Sequence, residues 1–377
     1  MSTVALAKCP NYDSPGLDRA LELLLEPLCG MGAFVRPGQR VLIKPNMLSG
    51  HAPERQVTTH PALVLAVGRL VRQAGGSLVI ADSPAIEPFG RVAAKTGLAQ
   101  TASELGAELR ELTEPMPAPA VPGAIFKGLQ LARLALEADV IINLPKLKTH
   151  GQMLLTMGVK NLFGTVVAQR KSEWHLVAGV DRPAFANLLL DIHQALRPAL
   201  TILDGVWGME GQGPSNGRPR HLGLLAASAD ALALDLSLCR LLGVPLPSYP
   251  LYLAARQRGL LNPEVENPRL VGDPAAEFAV ADFKLPDLQS VGFLPRPLAR
   301  LAQRHLVSKP VARPGRCRAC GQCQKICPAG CLSLEREGPR FDYQRCIRCY
   351  CCQEVCPEDA IAFERGLLLK TLQRLGR

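Results

Sequence analysis

Residues 317–335 read CRACGQCQKICPAGCLSLE, and residues 346–364 read CIRCYCCQEVCPEDAIAFE. Both carry the run C-x2-C-x2-C-x3-C-P. Cys317, Cys320, Cys323 and Cys327 precede Pro328, and Cys346, Cys349, Cys352 and Cys356 precede Pro357. The correspondence continues past the cysteines, aligning Leu332 with Ile361, Leu334 with Phe363 and Glu335 with Glu364. An internal repeat of this kind predicts two pseudo-symmetric halves, each with a short strand after its Cys-Pro. Thiolates at such short intervals suit a compact iron–sulfur cluster. Four-cysteine zinc sites also use C-x2-C pairs, but usually as two well-separated pairs per metal. Disulfides fit less well still, because nothing in the sequence indicates export.

The run resembles that of the bacterial-type ferredoxins that hold two 4Fe–4S clusters. In that module the fourth cysteine of each run ligates the other cluster. The resemblance therefore implies one cluster on Cys317, Cys320, Cys323 and Cys356, and a second on Cys346, Cys349, Cys352 and Cys327. Cys331 aligns with Ala360 and Cys351 with Gln322, so neither belongs to the repeated pattern. Cys331 is expected to fill a small apolar site. Cys351 is read as an ordinary thiol, with a rescue ligand as the alternative. Cys9, Cys29 and Cys239 stand alone and read as ordinary buried thiols.

The rest of the 377-residue chain is long enough for two or three domains with a substantial core. Its apolar stretches, such as Ala138–Leu144, are too short to cross a bilayer. The first ten residues, MSTVALAKCP, have no basic segment leading an apolar run. A cytoplasmic, reducing location is expected. The formal charge of +10 is concentrated at one end: from Arg296 onward 16 basic residues face 7 acidic ones, against 27 and 26 before it. Two oxidised clusters would offset part of this excess. The remainder suits docking of an acidic redox partner such as a ferredoxin or flavodoxin. Nucleic acid is disfavoured, because the basic residues are dispersed and lack an interleaved aromatic platform.

Residues 1–294 alternate short apolar runs with helical periodicity, which predicts an α/β fold with a mainly parallel sheet and flanking helices. Arg40–Lys44, Ser77–Ala81, Asp139–Leu144, Leu200–Leu203 and His221–Ala227 read as strands. Pro61–Ala74, Phe89–Leu105, Pro183–Leu196 and Ala229–Leu242 read as helices. Glu114–Gly123 is a proline-rich loop. Residues 295–316 read as a basic helix and linker, 317–364 as the small α+β, ferredoxin-like cluster domain, and 365–377 as a basic amphipathic tail.

In open α/β sheets, ligands collect beyond the carboxyl ends of the strands. Polar groups concentrate at these places: Lys44 and Asn46; Asn143, Lys146, Lys148 and His150; Lys160 and Asn161; and Asp204 and Glu210. Lys44-Pro45-Asn46, NLPKLKTH (143–150), MGVKNLFG (157–164) and Asp204-Gly205 together resemble the motifs of domain-of-unknown-function family 362. That resemblance spans about residues 40–290, and the family often carries a two-cluster ferredoxin module. It implies an α/β domain joined to a redox domain and names no reaction.

The residues themselves suggest an anion clamp. Converging ammonium and amide donors would hold a carboxylate or phosphate of an anionic small molecule. His150 is a candidate proton donor, or else a solvated loop residue. Asp204 and Glu210 would balance charge, relay protons or hold a divalent cation. GMEGQGPSNG (208–217) lacks the P-loop ending and reads as a flexible loop or lid. There is no G-x-G-x-x-G after a strand and no G-x-S-x-G elbow. Two readings remain: an iron–sulfur oxidoreductase whose clusters pass low-potential electrons to a substrate or cofactor in the α/β domain, and an electron carrier or cofactor- or metal-centre maturation partner without chemistry of its own.

Overall fold

Arg40–Pro45 (RVLIKP) is buried along nearly its whole length, as expected of a strand covered on both faces. Its side chains divide by the strand period of two: Leu42 enters one apolar layer, and Val41 and Ile43 the other. Ser77–Asp82 repeats the division, with Val79 and Ala81 on the first side and Leu78 and Ile80 on the second. In the computed structural model described here, residues 2–84, 86–167, 170–178, 181–286 and 308–364 are described.

The strands are β1 (Thr3–Lys8), β2 (Arg40–Pro45), β3 (Ser77–Asp82), β4 (Glu108–Glu111), β5 (Pro115–Pro117), β6 (Gln130–Ala132), β7 (Val140–Leu144), β8 (Lys146–His150), β9 (Leu154–Thr156), β10 (Leu200–Glu210), β11 (Arg218–Ser228) and β12 (Arg269–Gly272). The main sheet runs β12-β1-β11-β10-β7-β2-β3-β4, with β8 and β9 branching from β10. From β10 through β4 the pairings are parallel, and β11 is antiparallel to β10 and β1. The fold is therefore α/β with a mainly parallel sheet, as the alternation predicts.

Helices cover both faces. Ser14–Leu25 and Pro61–Gln73 bury leucines and valines in one layer, while Arg182–Leu196 and Ala231–Leu241 supply the other. The single helix expected at Phe89–Leu105 is two helices, Phe89–Lys95 and Leu98–Leu105. Gly97, at φ 77°, interrupts the helical backbone between them.

One expectation for a loop is corrected and another holds in part. The run after Leu144 is a further strand, β8, whose five residues are all buried. The 208–217 stretch divides: β10 extends to Glu210 and β11 starts at Arg218, so residues 211–217 keep the loop reading, as the connection of a hairpin. Long β10 makes this possible. It pairs with β7 at Leu200 and Thr201, then passes to β8 at Asp204 and Met209 across a register shift.

Strands β13 (Lys309–Ala312) and β16 (Ile361–Glu364) pair antiparallel, as do β14 (Leu332–Glu335) and β15 (Gly338–Phe341). Strands β14 and β16 follow the two Cys-Pro pairs, as the repeat predicts. Short helices Gln322–Ile326 and Cys351–Glu354 occupy equivalent places. Part of the stretch read as linker is thus β13, which closes against the last strand of the second half. Residues 295–307 and the tail 365–377 lie outside the described residues.

Candidate functional site: a lysine-lined cavity beside the cysteine module

The eight repeat cysteines group across the two halves. The Cys323 thiol is pushed up to about 11 by burial and then by neighbouring Cys356, Cys320 and Cys317. Burial raises Cys352 as well, followed by Cys349, Cys346, Cys323 and Cys327. Thiols of the two runs thus lie side by side, a concentration of sulfur donors that fits thiolate ligation of iron–sulfur clusters. Cys331 does not simply fill an apolar niche. Its sulfur lies 3.4 Å from that of Cys327, and its thiol holds the Cys346 pKa down at about 7.

At the carboxyl edge of the sheet, the sequence delivers side chains that backbone pairing then holds rigidly. Lys44, at the end of β2, is fully buried and meets Asp82, at the end of β3, at 2.9 Å. Asp82 in turn accepts the backbone N–H groups of Met47 and Ser83 at 2.8 Å. From β7, Asn143 accepts the Asn161 amide at 2.8 Å; Asn161 accepts that of Asn46 at 2.9 Å. Asn46 then accepts from the Lys148 ammonium at 2.8 Å, completing a chain of amides that ends on a cation. Lys148 also donates to the Val57 carbonyl at 2.6 Å. Burial, reinforced by nearby Lys160, drives Lys148 well below the ordinary lysine range, against the opposing pull of Glu354.

Lys160 sits on the short helix Gly158–Asn161. That helix is anchored because Asp235 accepts the N–H groups of Gly158 and Val159 at 2.7 and 3.1 Å. Among the described residues the Lys160 ammonium makes no hydrogen bond. It lies 5.9 Å over the Phe163 ring and 6.0 Å over that of Phe185. Lys171, on the helix Arg170–Ala178, donates to the Ser83 carbonyl, and burial brings its pKa down to about 7. From the same helix, His175 stacks on Phe185 with ring centroids 4.5 Å apart. It is held neutral by burial, with a pKa of about 3.

The cysteine module forms the opposite wall. His150, fully buried at the end of β8, accepts the N–H groups of Gln152 and Met153 on Nδ1. Its proton must then reside on Nε2, which lies 2.9 Å from Glu354 Oε1. Burial and Lys160 lower His150 to about 4 despite Glu354. Burial would raise Glu354, but His150, Lys160 and His175 prevail and lower it to about 2. The 211–217 turn grips the same short helix. Ser215 donates to the Glu354 carbonyl at 2.7 Å, and the Gln353 amide donates to the Gln212 carbonyl at 3.0 Å. Between these walls lies a cavity of ≈ 80 Å³, bounded by Lys44, Lys148, Lys160 and Lys171 on one side and by Cys351, Glu354, Val355 and Ile326 on the other.

Residues 41–240 match the domain of unknown function DUF362, and residues 339–362 match a 4Fe-4S binding domain. The chain is also 40% identical over 316 residues to a thylakoid-associated protein of Synechocystis, covering 83% of this chain and 97% of the relative. This chain belongs to the DUF362 family. Among solved structures, the lactate racemase apoprotein of Thermoanaerobacterium thermosaccharolyticum aligns at TM-score 0.42 with 14% identity, over 63% of this chain and 56% of that one. A Thermotoga maritima protein aligns at TM-score 0.37 with 11% identity, over 68% and 60%. The chain thus spans less than two thirds of these two structures. In this DUF362 chain the 4Fe–4S binding domain supports an iron–sulfur electron-carrier role. Among the described residues no helix is long and apolar enough to cross a membrane.

The DUF362 motifs do not all reach the cavity. Lys44, Asn46, Lys148, Lys160 and Asn161 line it, and Asn143 supports it from behind. Lys146 points elsewhere: its ammonium is used by Asp204 at 3.1 Å, Gln56 at 2.8 Å and Tyr12 at 2.9 Å. Asp204 is likewise committed to Lys146, the Tyr12 hydroxyl and the His60 N–H, which leaves no carboxylate for a divalent cation. Glu210 accepts the Lys284 N–H at 3.2 Å and does not line the cavity. His150 serves the contact between the two parts of the chain; it is neither a solvated loop residue nor a free acid.

Three important residues escaped sequence reasoning. Lys171 and His175 occur on a helix of weak amphipathic pattern, and Glu354 is hidden among cysteines. The only available hint was a helical spacing of four between Lys171 and His175.

Proposed function

We propose that this chain is an iron–sulfur redox protein in which an anionic small molecule is held between the sheet edge and the cysteine module. Two 4Fe–4S clusters would be carried by Cys317, Cys320, Cys323 and Cys356 and by Cys346, Cys349, Cys352 and Cys327. Bound there, such clusters supply single electrons at low potential. The observation that carries the reading is the shared cavity: the lysines of the α/β domain and the Cys351–Glu354 helix of the module border one space.

The chain's own residues have separate tasks in this scheme. Lys148 and Lys160 attract and orient an oxyanion, with Lys148 held in place by the Asn143–Asn161–Asn46 amide chain. Phe163, Ile326 and Val355 exclude water and thereby strengthen those charges. Glu354 keeps the module seated through His150. An acidic protein would deliver electrons to the basic C-terminal end.

The test uses anaerobically purified full-length protein. About eight iron atoms and matching sulfide per chain are expected for two such clusters. After chemical reduction, anionic metabolites are screened for reoxidation of the visible absorption. An active compound should lose its effect in Lys160→Met. Zinc in place of iron would overturn the cluster assignment, and failure of every anion to bind would remove the substrate reading.

A further inference from the structure

The two halves of the cysteine module match in backbone around the fourth cysteine and differ in the side chain beside it. In the first half, Cys331 donates its N–H to the Cys327 sulfur at 3.4 Å, and its carbonyl accepts the Asp342 N–H at 2.8 Å. At the aligned position of the second half, Ala360 donates its N–H to the Cys356 sulfur at 3.2 Å, and its carbonyl accepts the Arg313 N–H at 2.8 Å. The preceding residues, Gly330 and Asp359, share a left-handed backbone at φ 53° and 49°. Strands β14 and β16 begin at the next residues, Leu332 and Ile361. Both positions are buried. Cys331 adds a thiol whose sulfur lies 3.4 Å from that of Cys327, whereas Ala360 ends at its Cβ.

While both are thiols, either sulfur can donate. As a cluster ligand Cys327 is a thiolate with no proton to give, so Cys331 must be the donor. A donor to a ligand sulfur stabilises the more negative, reduced state and so raises the potential. We infer that the Cys331 thiol hydrogen-bonds the Cys327 ligand and raises the reduction potential of the cluster on Cys346, Cys349, Cys352 and Cys327, while Ala360 leaves the other cluster without this bond. Cys331 acts through Cys327 and touches no substrate. The inference rests on the cluster assignment of the proposed function and adds a direction to it. Cys349, a ligand of the same cluster, packs with Ile326, Cys351 and Val355, three residues of the cavity wall. One electron shared between the two clusters is thereby biased toward the cavity side.

Anaerobic redox titration of the full-length, cluster-loaded protein, followed by electron paramagnetic resonance, tests this. In Cys331→Ala one midpoint potential should fall by about 40 mV, about a fivefold change in the one-electron equilibrium at about 59 mV per tenfold, while the other stays in place. Cys331→Ser, whose hydroxyl can donate to the same sulfur, should keep most of the wild-type value. Iron and sulfide content should equal that of the wild type in both variants. Unchanged midpoints in Cys331→Ala, or a fall in Cys331→Ser as large as that in Cys331→Ala, overturn the hydrogen bond and leave the proposed function standing. Loss of iron in Cys331→Ala overturns it as well, by giving Cys331 a ligating or structural role. Wild-type protein devoid of iron and sulfide overturns the proposed function together with this inference.

Discussion

Lys146 and Lys171 lie at the same sheet edge and have opposite prospects. All three protons of Lys146 are directed at Asp204, Gln56 and Tyr12 within a fully buried network. Lys146→Ala would leave Asp204 charged, buried and poorly paired, so a loss of about 3–5 kcal/mol is expected in denaturant unfolding of the anaerobic protein. Lys171 faces Asp82, Lys44 and the more distant Glu111, with Lys148, Lys160, His175 and Glu354 around the same cavity. Because burial brings it to about 7, it is charged below that pH and neutral above it. Anion affinity is therefore full in mild acid and falls by up to about tenfold per pH unit above 7. Sulfate, dianionic throughout, is the appropriate probe, and Lys171→Gln should flatten the slope. For folding the sign reverses: the unfolded chain binds this proton more tightly, so the group's contribution to stability grows as pH rises above 7 toward the ordinary lysine value.

At the scale of elements, the segment Gly158–Thr165 brings Lys160 and Asn161 to the ends of β2 and β7. Gly164 is needed for this approach, because a Cβ there would overlap Lys44 and Asp82, coming within 2.5 Å of the Lys44 ammonium nitrogen. Gly164→Ala must push that ion pair apart, with an expected cost of about 2–3 kcal/mol. Thermal unfolding should show the loss, and sulfate binding should disappear while iron content stays constant. Retained sulfate binding would show that the close approach is dispensable. The existence of this segment is readable from MGVKNLFG, and so is the alternation that forms the sheet. The continuation of β10 past Asp204 is not readable, because its pairing with β8 depends on a strand read as a loop.

For the whole molecule, the decisive contact is between the two parts of the chain. Gly151, directly after β8, lies against the Phe363 and Tyr350 rings, where a Cβ would stand 3.1 and 3.4 Å from ring carbons. Valine there adds methyl groups to a filled space. Gly151→Val should loosen the module without removing its iron, seen as faster hydrogen exchange in β8 and in the Cys351–Glu354 helix. Unchanged exchange in both segments would refute the role of this contact. A second prediction concerns the crossed cysteines. Cys327→Ser should damage chiefly the cluster built from Cys346, Cys349 and Cys352, which electron paramagnetic resonance of the reduced protein can distinguish from loss of the other. If Cys331, with its sulfur 3.4 Å from that of Cys327, substitutes as a ligand, the damage is reduced and Cys327→Ser with Cys331→Ala restores it.

The cysteine repeat and the strand–helix alternation were legible because both are local: thiol spacing and apolar period lie within a few residues of one another. Which lysines stay available was not. Lys146 and Lys148 are two residues apart on one strand, yet one is consumed by Asp204 and the other opens onto a cavity. Their partners come from distant segments, and burial makes each unpaired charge costly enough for those partners to decide its role. Only folding brings Glu354 from the cysteine run to His150, and with it the module to the lysines.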